Sequence, residues 1–427
     1  MSGPRTEGGA PSKDMTRRGV LGAATSLASG VLAARTAAAD TADNSPPHIP
    51  EWQTRPGAAV MSPPYGLPSK FEAGVIRRER SGGSAYPTAQ AAISLTPLQD
   101  LDGIITPNGL HYERHHAGVP AIDPGEHRLI VHGLVERPMI FTMDDIRRFP
   151  QVSRIHFLEC SGNTQNWGPP AQGWTVQDTH GLISCCEWTG VWLKTVLSEI
   201  RVRPEALWML AEGADAAAMT RSIPIEKVFD DALLAYSQNG ERLRPEQGYP
   251  LRLLLPGYEG NTSVKWLRRL KFGDAPWQTR EETSKYSEIM PDGTVRQFNF
   301  VMETKSVITY PSSGRLLGGR GFHEISGIAW SGRGKIARVE VSVDDGATWA
   351  DAELQAPILS KCLTRFRFPW RWEGAPASLA SRATDEGGFV QPSRQALLSQ
   401  RDARSYYHYN AIQTWRVDAG GAVTNAG

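Results

Sequence analysis

Apolar and polar positions divide this chain into three textures. Up to about residue 100, apolar residues are scattered among Pro, Gly, Ser and charge with no period of 2 or 3.6. Residues 40–100 therefore read as an extended segment wrapped over the protein, not as a domain of their own. From 101 to 290, short apolar runs alternate with helix-like stretches. Residues 128–135 alternate as a strand. Residues 143–149 predict a short helix with Thr142 as its N-cap ahead of Asp144 and Asp145. An apolar-rich strand from Ile155 carries Cys160 to its end, where Ser161-Gly162-Asn163 turns the chain. A loop over 164–180 is expected next, then a helix over 188–200 from the spacing of Val191, Val196, Leu197 and Ile200. Strands follow at 207–210, 233–236 and 252–255, with a short helix at 225–229 and an Asn239-Gly240 turn. Two further apolar segments lie at 264–267 and 270–272.

From about 300 the pattern becomes all-β. Alternating strands are expected at 325–330, 337–343 and 364–368, and Asp344-Asp345-Gly346 makes a hairpin turn before Trp349. This spacing predicts a small immunoglobulin-like sandwich over 300–420, joined through polar residues 274–300 to an α+β domain over 101–290.

Composition sharpens this picture in two places. At 427 residues the chain is too long for one ordinary core, which agrees with two domains. Its formal net charge of +1 gives no reason to expect nucleic acid or an anionic membrane as partner. The N-terminus reads as an address: Thr16-Arg17-Arg18-Gly19-Val20-Leu21 is a twin-arginine signature, a mild apolar stretch follows, and Ala37-Ala38-Ala39 offers a cleavage site. A cleaved Tat signal over 1–39 and a periplasmic mature protein with no membrane anchor are expected. The Tat route carries folded proteins, often with a cofactor already loaded.

Four cysteines, Cys160, Cys185, Cys186 and Cys362, are too few for a disulfide scaffold, and neither zinc spacing nor a C-x-x-C-H haem motif occurs. Cys185, Cys186 and Cys362 read as buried thiols. Taken alone, Cys160 is more often an inert core thiol than a ligand. A thiolate at a strand end beside a tight turn is, however, a soft metal ligand and a nucleophile.

Several motifs move that balance. Ile105-Thr106-Pro107-Asn108 leads to Arg114-His115-His116. Cys160-Ser161-Gly162-Asn163 forms the cysteine loop. Ser222-Ile223-Pro224, Gly248-Tyr249-Pro250-Leu251-Arg252 and Val264-Lys265-Trp266-Leu267 follow, then Lys285-Tyr286 and the strand and hairpin Val339-Glu340-Val341-Ser342-Val343-Asp344-Asp345-Gly346-Ala347-Thr348-Trp349. Together they resemble the sulfite oxidase family of molybdenum enzymes over roughly residues 100–420, and within it the sulfane dehydrogenase branch of the Sox thiosulfate-oxidising system.

That resemblance implies a sulfite oxidase-type molybdopterin domain followed by an immunoglobulin-like dimerisation domain. It implies one Mo-molybdopterin per chain with Cys160 as the metal's protein ligand. Arg114 and Tyr286 would act beside Cys160 in catalysis. Tyr112, Glu113, Arg114, His115, His116, Asp215, Gln247, Arg252, Ser263, Val264 and Lys265 would bind the cofactor. Arg252 and Lys265 supply the cations that a phosphate needs; Asp215, as a bare residue, reads as a turn former. With no haem motif in this chain, electrons would pass to a separate c-type cytochrome subunit, and the second domain would pair two chains.

The departures from the family pattern bear on substrate. His115 replaces an asparagine. Thr164 and Gln165 stand where sulfite oxidases place arginines, Glu187 replaces an arginine before Trp188, and Gln247 replaces a histidine. Fewer cations near the metal argue against a small free dianion and for sulfane sulfur attached to a carrier-protein cysteine. A periplasmic sulfite dehydrogenase acting on free sulfite is the alternative.

Overall fold

The computed structural model describes residues 68–79, 91–164, 171–401 and 406–427. The expected signal, residues 40–67 and 80–90 of the expected extended segment, and Gln165 lie outside them. Two sheets, one antiparallel and one mixed, carry the first half. One sheet runs in the order Glu241–Arg242, Leu233–Gln238, Ile183–Trp192, Val152–Glu159, with Arg252–Leu254 also pairing with Leu233–Gln238. The other runs Met139–Phe141, Leu129–Gly133, Leu267–Gly273, Trp208–Gly213, Thr220–Pro224, and its one parallel pair joins Leu129–Gly133 to Leu267–Gly273. Between them lies an apolar core that also takes in the helices Met143–Arg147, Leu193–Ile200 and Ile225–Asp230.

Local chemistry explains the elements that appear where expected. Thr142 and Asp145 form a reciprocal capping box at the helix Met143–Arg147. Asn239 and Gly240 both adopt positive φ (47° and 81°), the conformation a tight hairpin requires between Leu233–Gln238 and Glu241–Arg242.

The helix expected from 188 is corrected. Residues up to Trp192 belong to the strand Ile183–Trp192, and the helix is Leu193–Ile200. The strand is buried on both faces, so it has no alternation to betray it, and it runs straight into the helix. At Gly190 a side chain is impossible, because a Cβ would meet Leu234 O at 2.0 Å. Part of the expected loop 164–180 is a helix, Val176–His180, capped by Thr175 and Asp178. Of the two segments at 264–267 and 270–272, the second lies within the strand Leu267–Gly273, while the first is a bend that enters that strand only at Leu267.

The segment before residue 100 is not merely draped. Arg78–Glu79 pairs with Ile93–Leu95, which pairs with Glu113–Arg114. Arg77 forms an ion pair with Glu113 and donates to His111 O at 3.2 Å, so this small sheet braces residues 111–116 from outside.

The second half is two antiparallel sheets face to face. One is ordered Lys305–Tyr310, Gly321–Trp330, Thr364–Trp372, Glu353–Gln355. The other is ordered Ala350–Asp351, Ile336–Ser342, Ala377–Asp385, Thr414–Val417, Val423–Asn425. Ile325, Ile328, Phe366, Val339, Val341, Leu379 and Trp415 fill the space between them. The same core continues through Phe157, Ile183 and Cys185 into the first half. Cys185, Cys186 and Cys362 are all buried free thiols, with the Cys185 and Cys362 sulfurs 3.4 Å apart. Among the described residues no helix is long and apolar enough to cross a membrane.

Candidate active site

The strand Val152–Glu159 ends one residue before Cys160, and the loop that follows is clasped from several sides. Cys160 N donates to Leu182 O at 3.0 Å, and Asn163 N returns to Cys160 O at 2.9 Å. The Asn163 side chain donates to Glu159 Oε1 at 2.9 Å and accepts from Leu182 N at 3.1 Å. Glu159 is completely buried, and its carboxylate also accepts from Lys305 Nζ and Trp330 Nε1, both at 2.7 Å and both from the second half of the chain. Ser161 is held by His408 N, which donates to its carbonyl at 2.9 Å, and by Asn261 Nδ2, 3.3 Å from its Oγ. The Cys160 sulfur is therefore fixed in place while remaining accessible from two adjoining cavities. Withdrawal from water raises its pKa, partly opposed by the Gly162 N–H and the charge of Arg114.

The inner cavity encloses about 680 Å³, its mouth included. Its wall carries two cations that make no ion pair among the described residues. Arg252 is 1% exposed; it donates to Gln247 O at 3.0 Å and Ser263 O at 2.9 Å, its Nε has no partner, and burial lowers its pKa to about 10. Lys265 donates to the carbonyls of Arg114 (3.2 Å) and Glu246 (3.1 Å) and to His115 Nδ1 (3.0 Å). Burial first, then the charge of Arg252, pushes the Lys265 pKa well below its ordinary value. His115 presents its other nitrogen to Glu113 at 2.8 Å and is held neutral, with a pKa of about 3, by burial and by Lys265. Gly260 is required here: a Cβ would meet both Glu159 O and Tyr112 Oη at 2.8 Å.

The outer cavity shares Arg114, His116, Cys160 and Tyr286 with the inner one and opens to about 1770 Å³. Tyr286 sits at its throat with φ of 45°, and its hydroxyl lies 3.4 Å from His116 Nε2. Burial raises the phenol's pKa well above its ordinary value; burial and Arg114 bring His116 down to about 3. The Tyr407 ring lies 5.0 Å from that of Tyr286, and Tyr406, Arg280 and Lys285 form the rim.

Twelve of the thirteen site residues expected from sequence line the inner cavity: Tyr112, Arg114, His115, His116, Cys160, Asp215, Gln247, Arg252, Ser263, Val264, Lys265 and Tyr286. Glu113 does not; its carboxylate points to Arg77 and His115 and orients the latter from behind. Ser222, from the matched motif Ser222-Ile223-Pro224, does not line the cavity but is turned onto Glu282, whose Oε2 accepts from its hydroxyl at 3.0 Å. Trp266, from the matched segment Val264-Lys265-Trp266-Leu267, also lines the cavity, as do Leu158, Met219, Gly260 and Asn261, which were not anticipated. Gly260 and Asn261 follow a Pro-Gly turn, the one local signal that marked them.

The expected loss of cations is corrected in part. Glu187 is paired with Ile155 within its sheet and lines neither cavity, so its charge does not report on the pocket. Thr164 is buried and lines neither cavity. The mouth retains Arg114, Arg280 and Lys285, although Arg280 is paired with Glu281.

These residues fit molybdopterin. The buried Arg252 guanidinium, with its Nε unpartnered, and the nearby Lys265 ammonium suit its phosphate, and the unpartnered Asn261 Oδ1 offers an acceptor. Cys160 offers soft sulfur. Among the described residues no group of three or more His, Cys, Asp or Glu side chains could hold a bare metal ion. Cys160 would thus be one ligand to a metal whose other ligands arrive with the cofactor.

Comparison with known proteins agrees. Residues 116–281 match the family model of the oxidoreductase molybdopterin binding domain, and residues 296–414 that of the Mo-co oxidoreductase dimerisation domain. The chain is 31% identical to sulfite oxidase of Gallus gallus over 343 residues, covering 72% of this chain and 73% of that one. It is 33% identical to the NADH nitrate reductase of Ulva prolifera over 281 residues, and 32% identical to the mitochondrial sulfite oxidase of Mus musculus over 347. It spans 32% and 61% of the length of these two relatives respectively. The crystal structure of the sulfane dehydrogenase SoxCD from Paracoccus pantotrophus superposes with a TM-score of 0.86 at 46% identity, covering 89% of this chain and 97% of that one.

Proposed function

The chain belongs to the sulfite oxidase family of molybdenum oxidoreductases, and from that premise we propose that it oxidises sulfane sulfur attached to a carrier-protein cysteine and passes the electrons to a c-type cytochrome subunit. The observation that carries this reading is the outer cavity. With its opening to solvent included it takes in about 1770 Å³, more room than a free oxyanion needs, and Cys160, Arg114 and Tyr286 lie in its wall. A carrier could insert the segment bearing its sulfur there. The likeness to a sulfane dehydrogenase at 46% identity supports the same substrate class. The twin-arginine signature supports a periplasmic site of action, and the match to a dimerisation domain supports pairing of two chains through the second half.

When bound, molybdopterin supplies a two-electron redox centre to which oxygen can be delivered and from which electrons leave singly. Cys160 would hold the metal, while Arg252, Lys265 and the wall around Gly260 would hold the pterin. Arg114, at the junction of the two cavities, stabilises the negative charge that grows on sulfur as it gains oxygen. The Tyr286 hydroxyl, kept protonated by its raised pKa, orients the reacting group by hydrogen bonding, with neutral His116 3.4 Å away as its neighbour. The second reading, free sulfite as substrate, is favoured by the three cations Arg114, Arg280 and Lys285 around the mouth.

The test is turnover of the purified protein with its co-purifying cytochrome, offered either a carrier-protein persulfide or sulfite. Faster turnover of the persulfide is expected, with Cys160→Ser inactive. Equal or faster oxidation of sulfite would overturn the carrier assignment.

A further inference from the structure

Beneath the throat lies a set of charges that the proposed chemistry does not use. Arg221, in the strand Thr220–Pro224, and Glu259, in the turn after Arg252–Leu254, are both completely buried, with Nη1 and Oε1 2.8 Å apart. Arg221 Nε lies 3.6 Å from Glu282 Oε1. The guanidinium carbon is 5.1 Å from the centre of the Tyr286 ring and 5.7 Å from that of Phe300, so Arg221 forms the floor on which Tyr286 rests. The second oxygen of Glu259 is 3.3 Å from His408 Nε2. The backbone N of that same histidine holds Ser161, next to Cys160. Burial would push the Glu259 carboxyl up, but Arg221, His408 and Asn261 outweigh it and hold it below its ordinary value.

A fully buried charge pair contributes little net stability compared with apolar residues of the same shape. Its geometry is a better account of its place here. Tyr286 is in the left-handed region (φ 45°), a conformation with little intrinsic preference for a tyrosine, and needs outside contacts to hold it there. We propose that Arg221 is a positioning residue that fixes the Tyr286 ring, and thereby its hydroxyl, at the reacting centre, and that Glu259 is the counter-charge that keeps Arg221 beneath the ring while tying it through His408 to the cysteine loop. This rests on the reading of Tyr286 as an active-site hydroxyl, and not on which sulfur compound is oxidised.

The single variant Arg221→Met strands Glu259 in the interior and could fail to fold, so the deciding protein is Arg221→Met/Glu259→Leu, which removes both charges and retains bulk. It is compared with wild type, Tyr286→Phe and the triple variant, using whichever of persulfide or sulfite wild type turns over. The expected result is a molybdenum content equal to wild type, kcat lowered by about ten- to a hundredfold and KM within twofold. No further loss is expected when the pair is removed from Tyr286→Phe, which lacks the hydroxyl being positioned. Wild-type kcat in the double variant would overturn the inference. So would an equal fractional loss in the Tyr286→Phe background, or loss of molybdenum, since either would make the pair a general prop of the site. Failure of wild type itself on the persulfide would instead count against the carrier substrate and leave this comparison to be made with sulfite.

Discussion

Arg252→Met tests whether the inner cavity is built for an anion. In the cofactor-free fold Arg252 is expensive: burial lowers its pKa from the ordinary guanidinium value to about 10, which corresponds to about 3 kcal/mol against the charged form. Substituting Met removes that cost and fills much of the same volume, though the guanidinium contact over the Trp188 ring is lost. Against this, Gln247 O and Ser263 O lose their donor, at about 1–2 kcal/mol each. The terms nearly cancel, and the stability of the cofactor-free protein should move by about 2 kcal/mol or less. Cofactor binding has no such compensation. A lost charge-assisted hydrogen bond to an anion is worth about 1.5–3 kcal/mol, or roughly ten- to 150-fold in affinity. The assay is molybdenum and pterin per chain after expression in molybdenum-replete cells and exhaustive dialysis, with melting curves of loaded and cofactor-free protein. Since a ligand stabilises the state it binds, the loaded variant should lose its melting advantage while the cofactor-free forms stay alike. Wild-type molybdenum retention, or an equal fall in both melting curves, would refute the assignment of this wall to an anion.

Two other outcomes follow from buried charge. Glu159→Leu leaves Lys305 in the interior without its carboxylate and should destabilise the protein by about 3–5 kcal/mol. Adding Lys305→Met should recover most of that in urea denaturation, and a double variant as unstable as the single one would contradict the account. His156 is held neutral at a pKa of about 4 by burial, against an ordinary 6.5, with its Nδ1 3.2 Å from Lys361 O. The unfolded chain therefore takes up a proton between pH 6.5 and 4 that the fold resists. This contribution to stability is complete above pH 6.5, falls as pH drops through the window, and is gone below 4. The difference is about 3 kcal/mol. His156→Gln should flatten the decline in urea midpoint between pH 7 and 4 by about that amount, and an unchanged slope would contradict it.

What the sequence disclosed follows the range of the forces involved. The Thr142 capping box, the Asn239-Gly240 turn and the cysteine loop are legible because the residues that determine them are neighbours. The strand Ile183–Trp192 was hidden because burial on both faces erases alternation; the helical spacing that begins at Leu193 then spreads backwards over it. Glu187 suggested a change in the pocket only because its neighbour Trp188 belongs to a family motif, whereas sheet register sets its side chain elsewhere. Arg221 and Glu259 were invisible for another reason. A charged residue in a sequence reads as solvated surface, and nothing local reveals a partner 38 positions away.

The clasp on Glu159 and Ser161 also sets a timetable. Lys305, Trp330 and His408 are all made after Cys160, and His408 lies 248 positions further along the chain. At about 5–20 residues per second of synthesis, roughly 12–50 s pass between the appearance of the metal ligand and that of the last residue holding its loop. Throughout that interval the nascent site lacks a wall, and a cofactor inserted then would have little to retain it. Loading should therefore wait until the chain has been made and folded past His408, and quality control of the empty protein would amount to sensing whether the segment around His408 has docked.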